Sequence, residues 1–236
     1  MMPVKQVFFI VGLLVSSSTY AYKVQPMVAE LSPIGKGAQM SMRIDNTGSD
    51  PLTVELTPFS MTMDEHGNET TQLAEDNLLV IPFTAIIPPG RSQSVMVRYL
   101  GNPSISQSKS YRISVRQVKV KKPNADSASL GLLLQFNTLL NIKPQNTHSD
   151  LSIDGIEHSK NQWLVKVKNE GNSYGRLTQT NWKISDKNQS RFIKGSELSN
   201  LVAGTLVLPK SKRTFIMEPI KGFDSDSVSI EIEDAE

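Results

Sequence analysis

The residues that could act in catalysis or bind a metal are few and scattered in this sequence. The chain contains three histidines, His66, His148 and His158, and no cysteine. No two of the histidines have the spacing that pre-forms a metal site, and the lack of cysteine excludes a thiolate ligand or a thiol nucleophile. The pattern therefore indicates solvated loop histidines.

Two acidic clusters, Asp64-Glu65 and Asp224-Ser225-Asp226, are the other candidates for paired carboxylates or cation ligands. Neither is followed by a calcium-binding loop of about 12 residues with its full set of oxygen ligands. The serines lack the Gly-x-Ser-x-Gly setting of a nucleophile elbow, and no glycine-rich phosphate loop is present. The sequence thus predicts solvated turns at these clusters, and a protein that is not an enzyme and needs no metal or cofactor.

The first residues have the order of a secretory signal peptide. Lys5 provides a positive charge, Val7–Val15 is a run of nine apolar residues, and Ala21 ends a cleavage site of small residues. The run is too short for a transmembrane anchor, which needs about 20 apolar residues. We therefore expect export and removal of residues 1–21.

The remaining chain has the size of two small domains and almost no net charge. Removing 21 of the 236 residues leaves 215, which is enough for two domains of about 100 residues each. Loss of Lys5 lowers the net charge from +2 to +1, so nothing suggests a nucleic-acid partner. No later segment is long and apolar enough to span a membrane, and without cysteine the stability must come from buried cores.

Most of the sequence alternates apolar and polar residues with a period of two. Clear examples are Met40–Ile44, Leu52–Leu56, Ala85–Ile87 and Ser94–Tyr99, each bounded by turn residues. Short strands at regular spacing are typical of antiparallel sandwiches, and no helical pattern persists for long. We predict an all-β fold with few helices.

The alternation is interrupted near the middle of the chain. A polar segment that begins at Pro144 and reaches His148 has the composition of a short linker. Met42–Ser49 before it resembles Val165–Asn172 after it, since both are alternating runs that end in Asn-x-Gly and a small polar residue. This repetition favours two sandwiches in tandem, over residues 22–144 and 145–236.

The segment Leu130–Ile142 differs from the other predicted strands. Its even positions form one largely apolar face over about seven alternations, which is longer than a typical strand of five or six residues. One interpretation is a core strand of the first sandwich. The other is a long edge strand kept for a partner, because exposed apolar edges invite pairing with another chain.

Four segments stand out by their order and spacing: Val95–Pro103 (VMVRYLGNP), Ser110–Gln117 (SYRISVRQ), Phe136–Pro144 (FNTLLNIKP) and the turn Asn169–Asn172. Together they resemble the periplasmic chaperones of chaperone–usher pilus assembly. The resemblance implies two immunoglobulin-like domains in an L or boomerang shape. It also implies that the last strand of the first domain completes an unfinished pilin subunit, a mode called donor-strand complementation. The groove-filling residues would be Leu130, Leu132, Leu134 and Phe136.

The resemblance also directs attention to an anchor for the subunit's C-terminal carboxylate. In the best-known branch of the family this anchor is an arginine in the first strand and a lysine in the last. Here Val24–Ser32 contains no Arg or Lys, and Leu139 stands about where the lysine would be. The chain is therefore more similar to the archaic branch, in which the arginine of a Tyr-Arg pair faces the cleft.

Arg112, which follows Tyr111, is the first choice for this anchor, because a guanidinium can hold a carboxylate with two parallel hydrogen bonds. Arg116, on the same strand face, and Arg98, in a strand we take to be a neighbour, are second choices. A solvated arginine on a strand face is the alternative for each of them.

The family resemblance implies a periplasmic location and two partners, pilus subunits and an outer-membrane usher. Self-association of the free protein, which would cover the strand, is left open. A structural or adhesive fibre subunit is a rival hypothesis, although Tyr22–Glu30 does not stand out as a donor segment. An exported hydrolase or carbohydrate-binding module is another, but Trp163 and Trp182 are expected in the second core rather than on a sugar platform.

Overall fold

The computed structural model describes residues 22–118, 133–158 and 161–234, and nearly all of its regular structure is β-strand. The strands of the first half are β1 Tyr22–Gln25, β2 Val28–Leu31, β3 Gln39–Asn46, β4 Leu52–Met63, β5 Glu69–Leu73, β6 Leu78–Ile81, β7 Thr84–Ile87, β8 Ser92–Tyr99, β9 Lys109–Gln117 and β10 Gln135–Ile142.

The described residues of the second half form eight strands and one short α-helix. They are β11 Leu151–His158, β12 Trp163–Asn169, β13 Gly175–Arg176, β14 Thr180–Ser185, β15 Ser190–Ile193, α1 Gly195–Leu201, β16 Leu206–Val207, β17 Ser211–Met217 and β18 Ser229–Asp234. Short 3-10 turns occur at Gly35–Ala38 and Leu177–Gln179. Among the residues that the structure describes, no helix is long and apolar enough to cross a membrane.

The first half is a sandwich of two sheets. One sheet has the order β1-β3-β8-β6, and the other has the order β2-β10-β9-β4-β5 with β7 also paired to β4. All these pairs are antiparallel except β2 with β10. Along β8 the residues alternate between exposed and buried, so Val95 and Val97 face Val54, Ile113 and their neighbours in one apolar core. The predicted alternation and the all-β fold are confirmed.

The second half has its own sheets and its own core. Its three-stranded sheets are β11-β12-β17 and β15-β14-β18, accompanied by the short pair β13-β16. Trp163 and Trp182 are fully buried in the core between them, as predicted. The Nε1 of Trp163 donates a hydrogen bond to the hydroxyl of Ser225 at 3.0 Å.

The repeated Asn-x-Gly sequence makes the same turn in both halves. Asn46 ends β3, and its amide donates to the carbonyls of Asp50 and Ile87, at 2.8 and 2.9 Å. Asn169 ends β12, and its amide donates to the carbonyl of Ser173 at 2.8 Å. In each turn the glycine two residues later donates its N–H to the asparagine side-chain oxygen at 3.0 Å. The two similar sequence segments thus form similar turns.

The two halves touch through polar and apolar contacts. The N–H of Ser108 donates to the carbonyl of Asn172 at 2.9 Å, and the N–H of Tyr174 donates to the Ser108 hydroxyl at 2.7 Å. The Tyr174 hydroxyl lies 2.6 Å from a carboxylate oxygen of Glu30. A small apolar cluster completes the contact; its buried members are Met61, Leu139 and Leu206.

Candidate functional site

The predicted long strand is shorter in the structure and lies inside the six-stranded sheet. Its regular part begins at Gln135, and Leu133 and Leu134 precede the strand. Pairing nevertheless extends one residue further, because the N–H of Gln117 donates to the carbonyl of Leu134 at 3.0 Å. Leu130 and Leu132 lie outside the described residues.

Strand β10 is covered along one edge but only along half of the other. Its whole length pairs with β9, from Gln135 opposite Arg116 to Ile142 opposite Lys109. On the opposite edge β2 covers Leu139–Ile142 alone, in parallel register. The first half of β10 is therefore an open edge among the described residues.

The direction of the backbone groups follows from alternation along the strand. The N–H of Leu139 donates across to the carbonyl of Met27 at 2.9 Å, so odd-numbered residues direct their backbone groups away from β9. The N–H and C=O groups of Gln135 and Asn137 therefore face the open edge, where no described strand pairs with them. Unpaired backbone groups of this kind are a template for another strand.

Apolar side chains lie at the same place. Leu134 and Phe136 are half-buried and pack against the edge of the first core. The Phe136 ring meets the Tyr22 ring edge-on, with ring centroids 4.8 Å apart. Leu133, by contrast, is 49% exposed. The open edge thus combines backbone groups that pair with no described strand and apolar side chains that are only partly covered.

Tyr22 fixes the position of this edge. Its hydroxyl lies 2.8 Å from the carbonyl oxygen of Val115 and 3.0 Å from that of Leu134, and it can donate to either. Burial raises the pKa of Tyr22 to about 12, which keeps the hydroxyl protonated as a donor. The carbonyl of Leu134 is thereby held against β9.

Arg112 lies on the outer face of the same sheet, beside the contact between the two halves. Its register neighbours are Leu139 on β10 and Phe59 on β4. Its guanidinium makes a two-pronged ion pair with Glu69 of β5; the Nε–Oε2 distance is 2.9 Å and the second contact joins Nη2 to Oε1. The Arg112 side chain is 21% exposed, so the group is reachable from solvent.

The two second-choice arginines occupy different surroundings. Arg116 shares the outer face with Arg112, as predicted, and pairs with Glu55 at 2.6 Å, but its side chain is 60% exposed. The expectation that Arg98 lies in a neighbouring strand is wrong. Arg98 belongs to β8 of the other sheet and is exposed on its outer face, because β8 pairs with β3 and β6 rather than with β9.

Sequence reasoning missed Glu69, Glu55 and Tyr22 as partners of the site. Glu69 is 43 positions from Arg112, and Tyr22 is 112 positions from Leu134. No local periodicity links residues so far apart, because strand order decides which of them meet. These partners could therefore not be predicted from the sequence pattern.

The acidic clusters and histidines have local roles. Asp64 accepts hydrogen bonds from the N–H groups of His66 and Asn68, and Asp224 accepts from Asp226 and Ser227. These bonds lower the pKa of both carboxyls, with the Asn68 and Ser227 side chains as the largest causes. Within the described ranges no group of three or more His, Cys, Asp or Glu side chains could hold a metal ion.

Comparison with known proteins identifies the fold. No protein-family model and no curated protein sequence matches the chain. Among solved structures, the class 5 fimbriae chaperone CfaA matches with a TM-score of 0.56 and 15% identity, over 90% of this chain and 99% of that chain. A chain from the CsuC–CsuE chaperone–tip adhesion subunit complex of the archaic Csu pili of Acinetobacter baumannii has a TM-score of 0.54 and 13% identity, over 83% and 89% of the two chains.

A third match is the Salmonella enterica SafA pilin in complex with the SafB chaperone, with a TM-score of 0.55 and 12% identity over 86% of each chain. The chain thus has the two-domain β-sandwich fold of pilus chaperones.

Proposed function

We propose that this protein is a periplasmic chaperone that captures pilus subunits by donor-strand complementation and delivers them to an outer-membrane usher. Its domains would be 22–144 and 145–236. The observation that carries the proposal is the half-covered edge of β10, in a fold shared with fimbrial chaperones. We also propose that it is most similar to the archaic branch of these chaperones.

Capture would proceed by addition of a strand at the open edge. The backbone groups of Gln135 and Asn137 pair with the subunit, while Leu134 and Phe136 enter its groove together with Leu130 and Leu132. Each buried leucine or phenylalanine side chain contributes about 1.5–3 kcal/mol of transfer free energy before ordering costs. Binding of this kind takes its free energy from burial and backbone pairing, so it requires no nucleotide or metal.

Arg112 would anchor the subunit's C-terminal carboxylate. Its guanidinium already binds a carboxylate with two hydrogen bonds, which is the geometry that the anchor needs. It lies on β9, the strand next to the open edge of β10, and its register neighbours on the two sides are Phe59 and Leu139. Arg116 is more exposed and is the second choice.

The strand hypothesis is tested by co-expression with candidate pilins and pull-down of the complex. Leu134→Asp places a charge in the groove and should reduce capture about 10- to 100-fold, the equivalent of one buried apolar side chain. Leu133→Asp is the matched control, since Leu133 is exposed and is not among the residues packed against the first core, and it should capture normally. Equal capture by both variants and the unmodified protein would refute donor-strand pairing here.

The anchor hypothesis has its own variants in the same pull-down. Arg112→Ala removes a bidentate, charge-assisted contact and should weaken capture about 10- to 100-fold. Arg116→Ala, on the same face, should change capture less than about twofold because exposed ion pairs contribute little. If the order of the two effects is reversed, the anchor is Arg116.

A further inference from the structure

In its ion pair with Arg112, Glu69 occupies the guanidinium group that a subunit carboxylate would need. Glu69 takes the Nε and Nη2 donors of the guanidinium, which form one of its two-donor edges. A carboxylate of a partner would meet an arginine that already holds a carboxylate of its own chain.

The surroundings of Glu69 allow it to leave. Its side chain is 31% exposed, so water can solvate the carboxylate when it separates from Arg112. A second cation is also near. Burial lowers the pKa of Arg213 in the second half, and the charge of Glu69 partly offsets this effect. Glu69 therefore does not become an isolated buried charge on release.

Glu69 stands at the base of a turn that touches the second half of the molecule. The turn joins β4 to β5, and the carbonyl of Glu65 within it accepts a hydrogen bond from the N–H of Thr214 at 2.6 Å. Gly67 lies directly against the Arg213 guanidinium, where any side chain would collide with it. Glu69 thus lies next to the segment of the first half that contacts the second half.

We propose that Glu69 is an internal stand-in for the subunit's C-terminal carboxylate, which competes for Arg112 until a subunit displaces it. This inference rests on the proposed function, because it assumes that Arg112 is the anchor. A partner that offers only an edge strand leaves the ion pair intact. A partner that offers a strand and a chain-terminal carboxylate replaces it, so Glu69 makes capture selective for the end of a subunit.

The same sheet face provides an internal comparison. Arg116 and Glu55 form a similar ion pair, but both side chains are more exposed, at 60% and 41%, than those of Arg112 and Glu69. Removing Glu55 should therefore have little effect on a carboxylate receptor at Arg112. Glu55→Gln is the matched control for Glu69→Gln.

The test uses the full exported chain labelled with ¹⁵N-arginine and follows the Nε–H signals by NMR. Arg112→Lys assigns the Arg112 signal by its disappearance. Sodium acetate, with sodium chloride at equal ionic strength as reference, is the carboxylate probe. In Glu69→Gln the Arg112 signal should respond to acetate at a concentration at least threefold lower than in the unmodified protein and in Glu55→Gln.

Two results would overturn the inference: an equal acetate response with and without Glu69, or no acetate response of Arg112 in Glu69→Gln. The pull-down separates this outcome from the function itself. If the unmodified protein captures a pilin but Glu69→Gln does not respond to acetate at a lower concentration, the chaperone function stands and the role proposed for Glu69 is refuted. Failure of all pilin capture contradicts the chaperone function, whatever acetate does.

Discussion

At the scale of single residues, two buried asparagines organise the corresponding turns of the two sandwiches. Asn46 and Asn169 are 5% and 2% exposed, and each joins its own turn to a more distant segment through its amide group. The hydrogen bonds of a buried amide stabilise the fold together, because removing the amide leaves all of its buried partners unsatisfied. Each asparagine is therefore expected to control the stability of its own domain.

Replacing either asparagine by alanine should lower the unfolding free energy of its domain by about 2–3 kcal/mol, because backbone carbonyls and an N–H lose their partner. The two tryptophans, Trp163 and Trp182, are both in the second core, so tryptophan fluorescence, excited selectively over that of tyrosine, reports that domain alone. Urea unfolding of Asn169→Ala should shift the fluorescence transition. Asn46→Ala should shift circular dichroism and leave the fluorescence midpoint in place.

The control is Asn188→Ala, a change in an exposed turn where the backbone N–H, bonded to Asp186, is retained. It should alter the unfolding free energy by less than about 0.5 kcal/mol. A fluorescence shift in Asn46→Ala as large as that in Asn169→Ala would mean that the two sandwiches unfold as one unit.

At the scale of the strands, local alternation predicted where strands form but not how far they extend. Ser94–Tyr99 was predicted from its pattern, and β8 covers Ser92–Tyr99. Leu52–Leu56 predicted only the first part of β4, which continues to Met63 beyond Pro58. A proline normally argues against a paired strand at its position. Here β4 nevertheless continues through Pro58, because it pairs with β9 on one side and β5 on the other.

The site was predictable to the same limited degree. The apolar face of β10 and the shared face of Arg112 and Arg116 follow from a period of two, which the sequence shows directly. The open edge depends on β2 beginning only opposite Leu139, and the ion pair depends on β5 beginning as early as Glu69. Both are consequences of non-local pairing, as is the placement of Arg98 in the other sheet.

The open edge yields a prediction about backbone pairing that is separate from side-chain burial. Asn137→Pro removes an N–H that faces the open edge while the pairing with β9 is retained, and it should reduce pilin capture at least tenfold. Asn137→Ala removes the same exposed side chain but retains the N–H, and it should capture normally. Thermal unfolding of both variants shows whether the first sandwich remains folded.

If Asn137→Ala reduces capture as much as Asn137→Pro, the side chain and not the backbone edge contacts the subunit. If neither variant affects capture while Leu134→Asp does, the subunit binds the apolar side chains without adding a strand.

At the scale of the whole molecule, the contact between the sandwiches and the candidate site share one strand. Leu139 lies opposite Arg112 in the register of β10 and β9, and it packs against Leu206 of the second half. Glu30 of β2 reaches Tyr174 on the same side. The second half thus holds the stretch of β10 next to the open edge, and weakening the contact should disturb the site without any change at the edge.

Leu206→Glu tests this connection, because Leu206 is only 6% exposed and its neighbours Met61 and Leu139 are apolar. Loss of its burial should cost about 1.5–3 kcal/mol, and the acidic group resists reburial, so the two halves should separate. Small-angle scattering should show a larger radius of gyration, and pilin capture should fall. Ile216→Glu, at a position 60% exposed, makes the same chemical change and should alter neither property. Normal capture by a Leu206→Glu protein whose halves have separated would show that the first sandwich positions Arg112 and the open edge by itself.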